Sequence, residues 1–268
     1  MWIMSEPAAT ILDKVRRDMT KQGIDLLLAF HDGAHFIEKP NAVMALSGFK
    51  SLGHTLFILP REGEPTLVVT PPWDAKRAAE CCPDAQAVGA DDIMNALADD
   101  LERRGSVVAA NVGTAGLAGM PWPMEKRLAA LLSGQARAID GIVFRSARLK
   151  TTDQIAKARV ATEIAERGYE RLLELARPGT REDELAVELK WYMKTLGAED
   201  NFLMLCGGAH NRAVQPSSGR KLATGDIILA EITPSYRGQM AQICRTAVLG
   251  PASESLKYGY DLVVRAME

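Results

Sequence analysis

Between Ala9 and Phe144, apolar runs of strand length alternate with segments of helical periodicity, and this alternation limits the possible fold more than any other feature. "ATILDKVRRDMTKQG" puts Ile11, Leu12, Val15 and Met19 on one helical face and stops at Gly23. "IDLLLAF" follows as a buried strand, and "HTLFILP" and "PTLVVTP" flank "REGE" in a hairpin pattern. "DAKRAAE" and "DDIMNALADDLERR" read as helices. "SVVAANVG" reads as a strand opening into "GTAGLAG", "MEKRLAALL" as a helix and "ARAIDGIVF" as a last strand. Strands and helices in this order bury their apolar faces by stacking helices on a sheet, so a three-layer α/β domain is expected. "GTAGLAG" lacks both the G-x-G-x-x-G spacing and the P-loop Lys-Ser/Thr, so it reads as a connecting loop and not a phosphate cradle.

The organisation changes near Arg148. "RLKTTDQIAKARVATEIAERGYERLLELARPGT" repeats Ile155, Ala158, Ala161, Ile164, Ala165, Tyr169, Leu172 and Leu173 near the helical period, with Thr152 and Asp153 able to cap its start and Pro178-Gly179 ending it. "REDELAVELKWYMKTLG" is a second helix, with Thr180 the expected N-cap, acids in the first turn and Gly197 at its end. A strand, "NFLMLCGG", a long loop, "AHNRAVQPSSGRKLATGD", a hairpin and a terminal helix in "SESLKYGYDLVVRAME" complete the pattern. The expected division is 1–147 and 148–268.

Composition excludes several functions. Hydrophobic residues are 47%, charged residues 25% and the formal net charge is −2, the balance of an ordinary globular protein without a basic block for nucleic acid. No apolar run approaches the ~20 residues of a membrane helix, and "MWIMSEPAAT" has no signal-peptide pattern, so a cytoplasmic location away from the membrane is expected. Cys81, Cys82, Cys206 and Cys244 have neither C-x-x-C nor zinc spacing and read as reduced thiols, the last two as small buried residues in strands.

The hairpin "DIILAEITPSYRGQMAQICRT" carries the chemistry. Glu231 sits inside one apolar arm and Gln242, eleven residues on, inside the other. Antiparallel alternation puts them on one face. A turn at Tyr236-Arg237 makes them direct partners, about 5 Å apart at Cβ, and a turn at Arg237-Gly238 makes them diagonal, about 7–8 Å apart. Thr233 and Met240 share that face. A carboxylate there must be paired, hydrogen-bonded or protonated. The face therefore lines a polar pocket, or else Glu231 is satisfied locally by Gln242 or by Arg245 coming round an edge. The preceding loop adds His210, Asn211 and Gln215, His210 following Gly207-Gly208 as a possible acid–base group. His31, His35 and His54 have no catalytic context, and neither G-x-S-x-G nor H-E-x-x-H occurs.

"GIDLLLAF" with "NAVMALSGF", then "RLKTTDQIAKARVATEIAERGYERLLELARPGTREDELA", then "RKLATGDIILAEITPSYRGQMAQICRT" together resemble the pita-bread superfamily of creatinase, aminopeptidase P, prolidase and methionine aminopeptidase. The resemblance implies an α/β creatinase-like N-terminal domain followed by an incomplete α+β pita-bread domain. Its second half, which supplies a histidine and two glutamates in relatives, is not among the 22 residues after Thr246. A fragment, a partner chain that completes the domain, or a decayed relic each fit that pattern. In the metallopeptidase members two hairpin aspartates bind a pair of divalent metals, and here those positions are Glu231 and Gln242. The usual upstream histidine falls on Gln215, while "GAHN" resembles a creatinase tetrapeptide whose histidine, here His210, is catalytic. Creatinase keeps the fold and works without metal on a guanidino C–N bond. By that resemblance the chain comes from a metal-independent hydrolase of a C–N bond in a small or short peptide-like substrate, with no cofactor, represented here without its second half and not expected to be active alone. Glu231 and His210 are its catalytic candidates, and Gln242, Gln215, Asn211 and Arg245 its substrate-binding ones. The same resemblance implies a homodimer. Two other readings stay open: a metalloenzyme with altered ligands, and a non-catalytic binding module.

Overall fold

The computed structural model describes residues 10–34, 41–105, 111–133 and 136–268. The chain divides into two units, 1–151 and 152–268.

In the first unit six strands form one mixed sheet: β1 (Leu26–His31), β2 (Thr55–Pro60), β3 (Thr66–Val69), β4 (Gln86–Gly89), β5 (Val112–Ala115) and β6 (Ala136–Ala138). Their spatial order is β4-β3-β2-β1-β5-β6. β1–β2 and β2–β3 are antiparallel, the other neighbours parallel. Every residue of β1, β2, β3 and β5 is buried, as expected of strands covered on both faces. Leu27, Ala29, Phe57, Leu59, Leu67 and Val69 meet α1 (Ile11–Gln22), α2 (Ala42–Ser47), α3 (Ala75–Cys81) and α6 (Asp140–Arg148) on one side. Leu26, Leu28, Phe30, Leu56, Ile58 and Val68 meet α4 (Ile93–Arg104) and α5 (Trp122–Leu131) on the other. Three layers result.

Some elements differ from expectation. The strand read at 106–113 begins at Val112 and runs into "GTA", and residues 106–110 lie outside the described ones, as does His35. In the "GTAGLAG" loop the Gly116 N–H donates to Asp140 Oδ1 at 2.8 Å. "ARAIDGIVF" is a three-residue strand followed by α6. Ile139, Ile142 and Val143 are buried with helical spacing, and that periodicity outweighs the β-branched composition. α2 and β4 form where no element was assigned, α2 starting on the Asn41 side chain, which accepts the Met44 N–H at 2.8 Å.

The second unit is built on α7 (Thr152–Leu175) and α8 (Glu182–Thr195) packed against an antiparallel sheet of β7 (Asn201–Gly208), β8 (Ile227–Tyr236), β9 (Gln239–Met240) and β10 (Ile243–Val248). Arg181 takes the N-cap position of α8, one residue later than expected. Ala161, Ile164, Ala165, Gly168 and Leu172 form the buried stripe of α7, while Ile155 and Leu173 remain exposed. Gly168 allows close packing: a Cβ there would stand 3.0 Å from Met193 Sδ and 3.6 Å from Ile232 Cγ2. The helices bury Leu203, Leu205, Ile228, Ala230, Ile232 and Ile243, one face of the sheet. Alternation therefore sends Met204, Cys206, Leu229, Glu231, Thr233, Gln242 and Cys244 to the other face. The terminal helix, α9 (Glu254–Met267), is capped by Ser253 and buries none of its residues. Among the described residues no helix is long and apolar enough to cross a membrane.

Candidate functional site

The hairpin turns at Arg237-Gly238. Tyr236 pairs with Gln239 and Ser235 with Met240, and both turn residues have positive φ, 45° and 78°. That is the two-residue turn whose twist matches antiparallel strands. The same register continues through Ile243↔Ile232 and Cys244↔Glu231. It is interrupted opposite Pro234, which has no N–H for the ladder, although its carbonyl still accepts the Ala241 N–H at 3.2 Å. Glu231 and Gln242 are thus diagonal neighbours on one face. They are joined by a hydrogen bond in which Gln242 Nε2 donates to Glu231 Oε1. Thr233, on the same face, is buried, and its hydroxyl finds no hydrogen-bond partner among the described residues.

The loop residues divide. Gln215 comes to this face: its backbone N–H donates to Cys206 Sγ at 3.2 Å, and Cys206 pairs with Leu229, two residues (roughly 7 Å) along β8 from Glu231. Asn211 is engaged with the scaffold. Its Nδ2 donates to Cys206 O at 3.0 Å, to Ile227 O at 3.2 Å and to Cys206 Sγ at 3.2 Å, tying the ends of β7 and β8 together. His210 is exposed just beyond β7. The last rung there, Gly208↔Ile227, is four residues, roughly 13 Å, from Glu231. Arg245 belongs to the opposite parity, paired with Ala230. Its guanidinium stands near the Tyr169 hydroxyl, partly offsetting the rise in that group's pKa that burial causes, and its Nη1 donates to Cys244 O at 3.1 Å. All four cysteines are free; on this one face Cys206 is buried, with Asn211 and the Gln215 amide against its sulfur, whereas Cys244, expected to be buried, is exposed.

Two buried carboxylates of the second unit escaped the sequence reading. Glu182, 2% exposed, opens α8 and accepts three hydrogen bonds: Gly207 N–H at 2.9 Å, Ser218 N–H at 3.0 Å and Ser218 Oγ–H at 2.7 Å. Asp226, 3% exposed, receives the Arg220 guanidinium in a bidentate pair of 2.7 and 2.9 Å and the Ala223 N–H at 2.7 Å. The Arg220 hydrogen bonds hold the Asp226 carboxyl below the ordinary carboxylate value, with the Ala223 amide adding to them and burial opposing. Arg220 also stands 3.9 Å from Glu182. The only hints in sequence were acids in a helix's first turn and the Gly-Asp before a strand.

The hairpin is poorly equipped to hold divalent metal. One carboxylate faces one amide, and the amide turns a donor N–H toward the carboxylate where a second ligand oxygen would be needed. Among the described residues no group of three or more His, Cys, Asp or Glu side chains is placed to hold a metal ion. This donor set does not fit a pair of divalent cations.

Residues 156–268 match the model of metallopeptidase family M24. An uncharacterized peptidase of Bacillus subtilis, YqhT, is 27% identical over 121 residues, 44% of this chain and 34% of that protein. An Xaa-Pro dipeptidase of Pyrococcus furiosus is 27% identical over 133 residues, 48% of this chain and 38% of that protein. The aligned stretches thus span little over a third of these relatives. The prolidase structure from Pyrococcus horikoshii superposes with a TM-score of 0.80 at 21% identity, over 96% of this chain and 70% of that one. The Xaa-Pro dipeptidase structure from Bacillus anthracis gives 0.78 at 20%, over 96% and 69%. Residues 156–268 are thus similar to metallopeptidase family M24, and the chain has a mixed α/β fold like that of the prolidase structures.

Proposed function

We propose that the chain is the N-terminal domain and the first half of the catalytic domain of a hydrolase of this superfamily, one that cleaves a C–N bond without the divalent metal pair. The observation that carries this reading is the Glu231–Gln242 hydrogen bond at the paired hairpin positions. Glu231 orients the substrate and passes a proton from the attacking water to the leaving nitrogen as water adds to the polarised carbon. Gln242 fixes the carboxylate and, with Gln215, offers hydrogen bonds to the substrate. Asn211 supports the site through β7 and β8, and Arg245 acts from outside the face. His210 serves as an acid–base group if its segment carries it toward Glu231. The substrate is a small guanidino or short peptide-like molecule, and the working form is a cytoplasmic homodimer.

The test is hydrolysis of Xaa-Pro dipeptides and guanidino compounds with and without chelator, alongside metal analysis of the purified protein. Turnover indifferent to chelator, lost in Glu231→Ala, supports the reading. A requirement for stoichiometric manganese, cobalt or zinc replaces it with a metalloenzyme of altered ligands. No turnover on any substrate favours the binding module, a reading to which the mutual satisfaction of Glu231 and Gln242 also lends support.

A further inference from the structure

The segment Ala209–Arg220 is twelve consecutive residues without one buried side chain. Apolar packing therefore does not hold it in place. Polar contacts hold it instead, on both sides of the sheet, among them the Asn211 bonds to the Cys206 and Ile227 carbonyls. On the face of Glu231, Cys206 Sγ accepts the Gln215 N–H and the Asn211 Nδ2–H, both at 3.2 Å, and the thiol stands 3.6 Å from Ala213 O. On the helix side, Glu182 accepts both Ser218 donors, and Asp226 takes the Arg220 guanidinium. The backbone adds Asp183 N–H to Ser218 O at 3.0 Å and Glu182 N–H to Arg220 O at 3.0 Å. Immediately after it, Leu222 is buried in the core and bonded through its backbone to Gly179 and Thr180, so the firm anchorage begins there.

We infer that Ala209–Arg220 is a strap that opens as a unit while the sheet stays folded, latched by Glu182 and Asp226 on one side of the sheet and by Cys206 on the other. Regions with exposed backbone bonds and few apolar contacts open with less free energy than the core. The strap covers Cys206 and places Gln215 over the face of Glu231, so its opening changes access to that face. Glu182 and Asp226 are positioning residues here, acting through Ser218 and Arg220. This goes beyond the hydrolase reading and does not depend on turnover.

The experiment is cysteine labelling and backbone hydrogen exchange on the full chain, read residue by residue with mass spectrometry. Cys82 is the internal control: it is buried in the first unit, and burial pushes its thiol up to about 11. In Glu182→Gln, and in the milder Ser218→Ala if the first does not fold, Cys206 labelling and exchange over 209–220 should rise about tenfold or more, the loss of a hydrogen bond to a charged group. The β8 amides, 227–236, and Cys82 should keep their wild-type protection. Joint loss of protection by strap and β8 would overturn the inference, because the latch would then be part of the global fold. Unchanged protection of Cys206 and the strap would overturn it as well, because the carboxylates would then not be holding the segment.

Discussion

Glu231 and Glu182 are two glutamates of the same unit with opposite circumstances. Glu182 is enclosed, accepts three protein hydrogen bonds and has a guanidinium nearby. Glu231 is half-buried on the face without helices, and the hydrogen bond it accepts comes from Gln242. A carboxylate whose lone pairs are filled by fixed donors stabilises a structure and has little capacity for substrate. One with a single amide neighbour contributes little to stability and keeps oxygen lone pairs for a ligand. The first hydrogen-bonding pattern ties the loop to the start of α8; the second leaves oxygen lone pairs open.

Substitutions can break this contrast. The largest expected effect is Glu182→Ala, which leaves the Gly207 and Ser218 N–H groups without their acceptor and Arg220 without a nearby second carboxylate, and should cost about 3 kcal/mol of stability, measured by urea unfolding. Glu231→Ala should invert the pattern: under the proposed hydrolase reading turnover falls by about 100-fold or more, while the unfolding free energy moves by less than about 1 kcal/mol. A large stability loss at Glu231 would place it with the structural carboxylates.

The pH dependence sharpens the same comparison. The Asp226 carboxyl is held below the ordinary carboxylate value by Arg220. Its contribution to stability is therefore fully present above the unfolded-state pKa and is lost as pH falls through the depressed folded value. Urea midpoints of the wild type should fall in the acid range below about pH 4, and Asp226→Asn should remove that part of the slope while lowering stability at neutral pH. The smallest effect is expected at Gly168→Ala. The better helix former gains under about 1 kcal/mol, and the crowding against Met193 costs a similar amount, because a flexible thioether can shift. A loss of several kcal/mol, read by thermal melting, would mean that α7 and α8 cannot adjust.

Much of the second unit was legible because its periodicities are long and its stops are strong. The α7 stripe, the Pro178-Gly179 stop and the strands around Arg237-Gly238 needed no tertiary information. The first unit was legible in its buried strands but not in α6, where a short segment holds Ile139, Ile142, Val143 and Phe144 and both periods fit. At the site, Gln215 could be associated with the hairpin only as a polar residue of the preceding loop and through a resemblance, since nothing local fixes where a loop glutamine lies. Glu182 was one of three acids in "REDEL", and local sequence cannot say which of them points inward.

By itself the sequence determined that Glu231 and Gln242 share a face, because side chains alternate along any antiparallel pair whatever surrounds it. It also determined that the chain has two differently organised parts, because hydrophobic period is a local property. Only the tertiary structure decided the register, which pairs Glu231 with Cys244 and leaves Gln242 diagonal, and which side of the sheet α7 and α8 cover. Only it gathered Glu182, Ser218, Arg220 and Asp226 into one network. Those groups are up to 44 residues apart in the chain, and hydrogen bonds over such separations exist once the fold has brought donors and acceptors within reach and removed the water that would otherwise serve them.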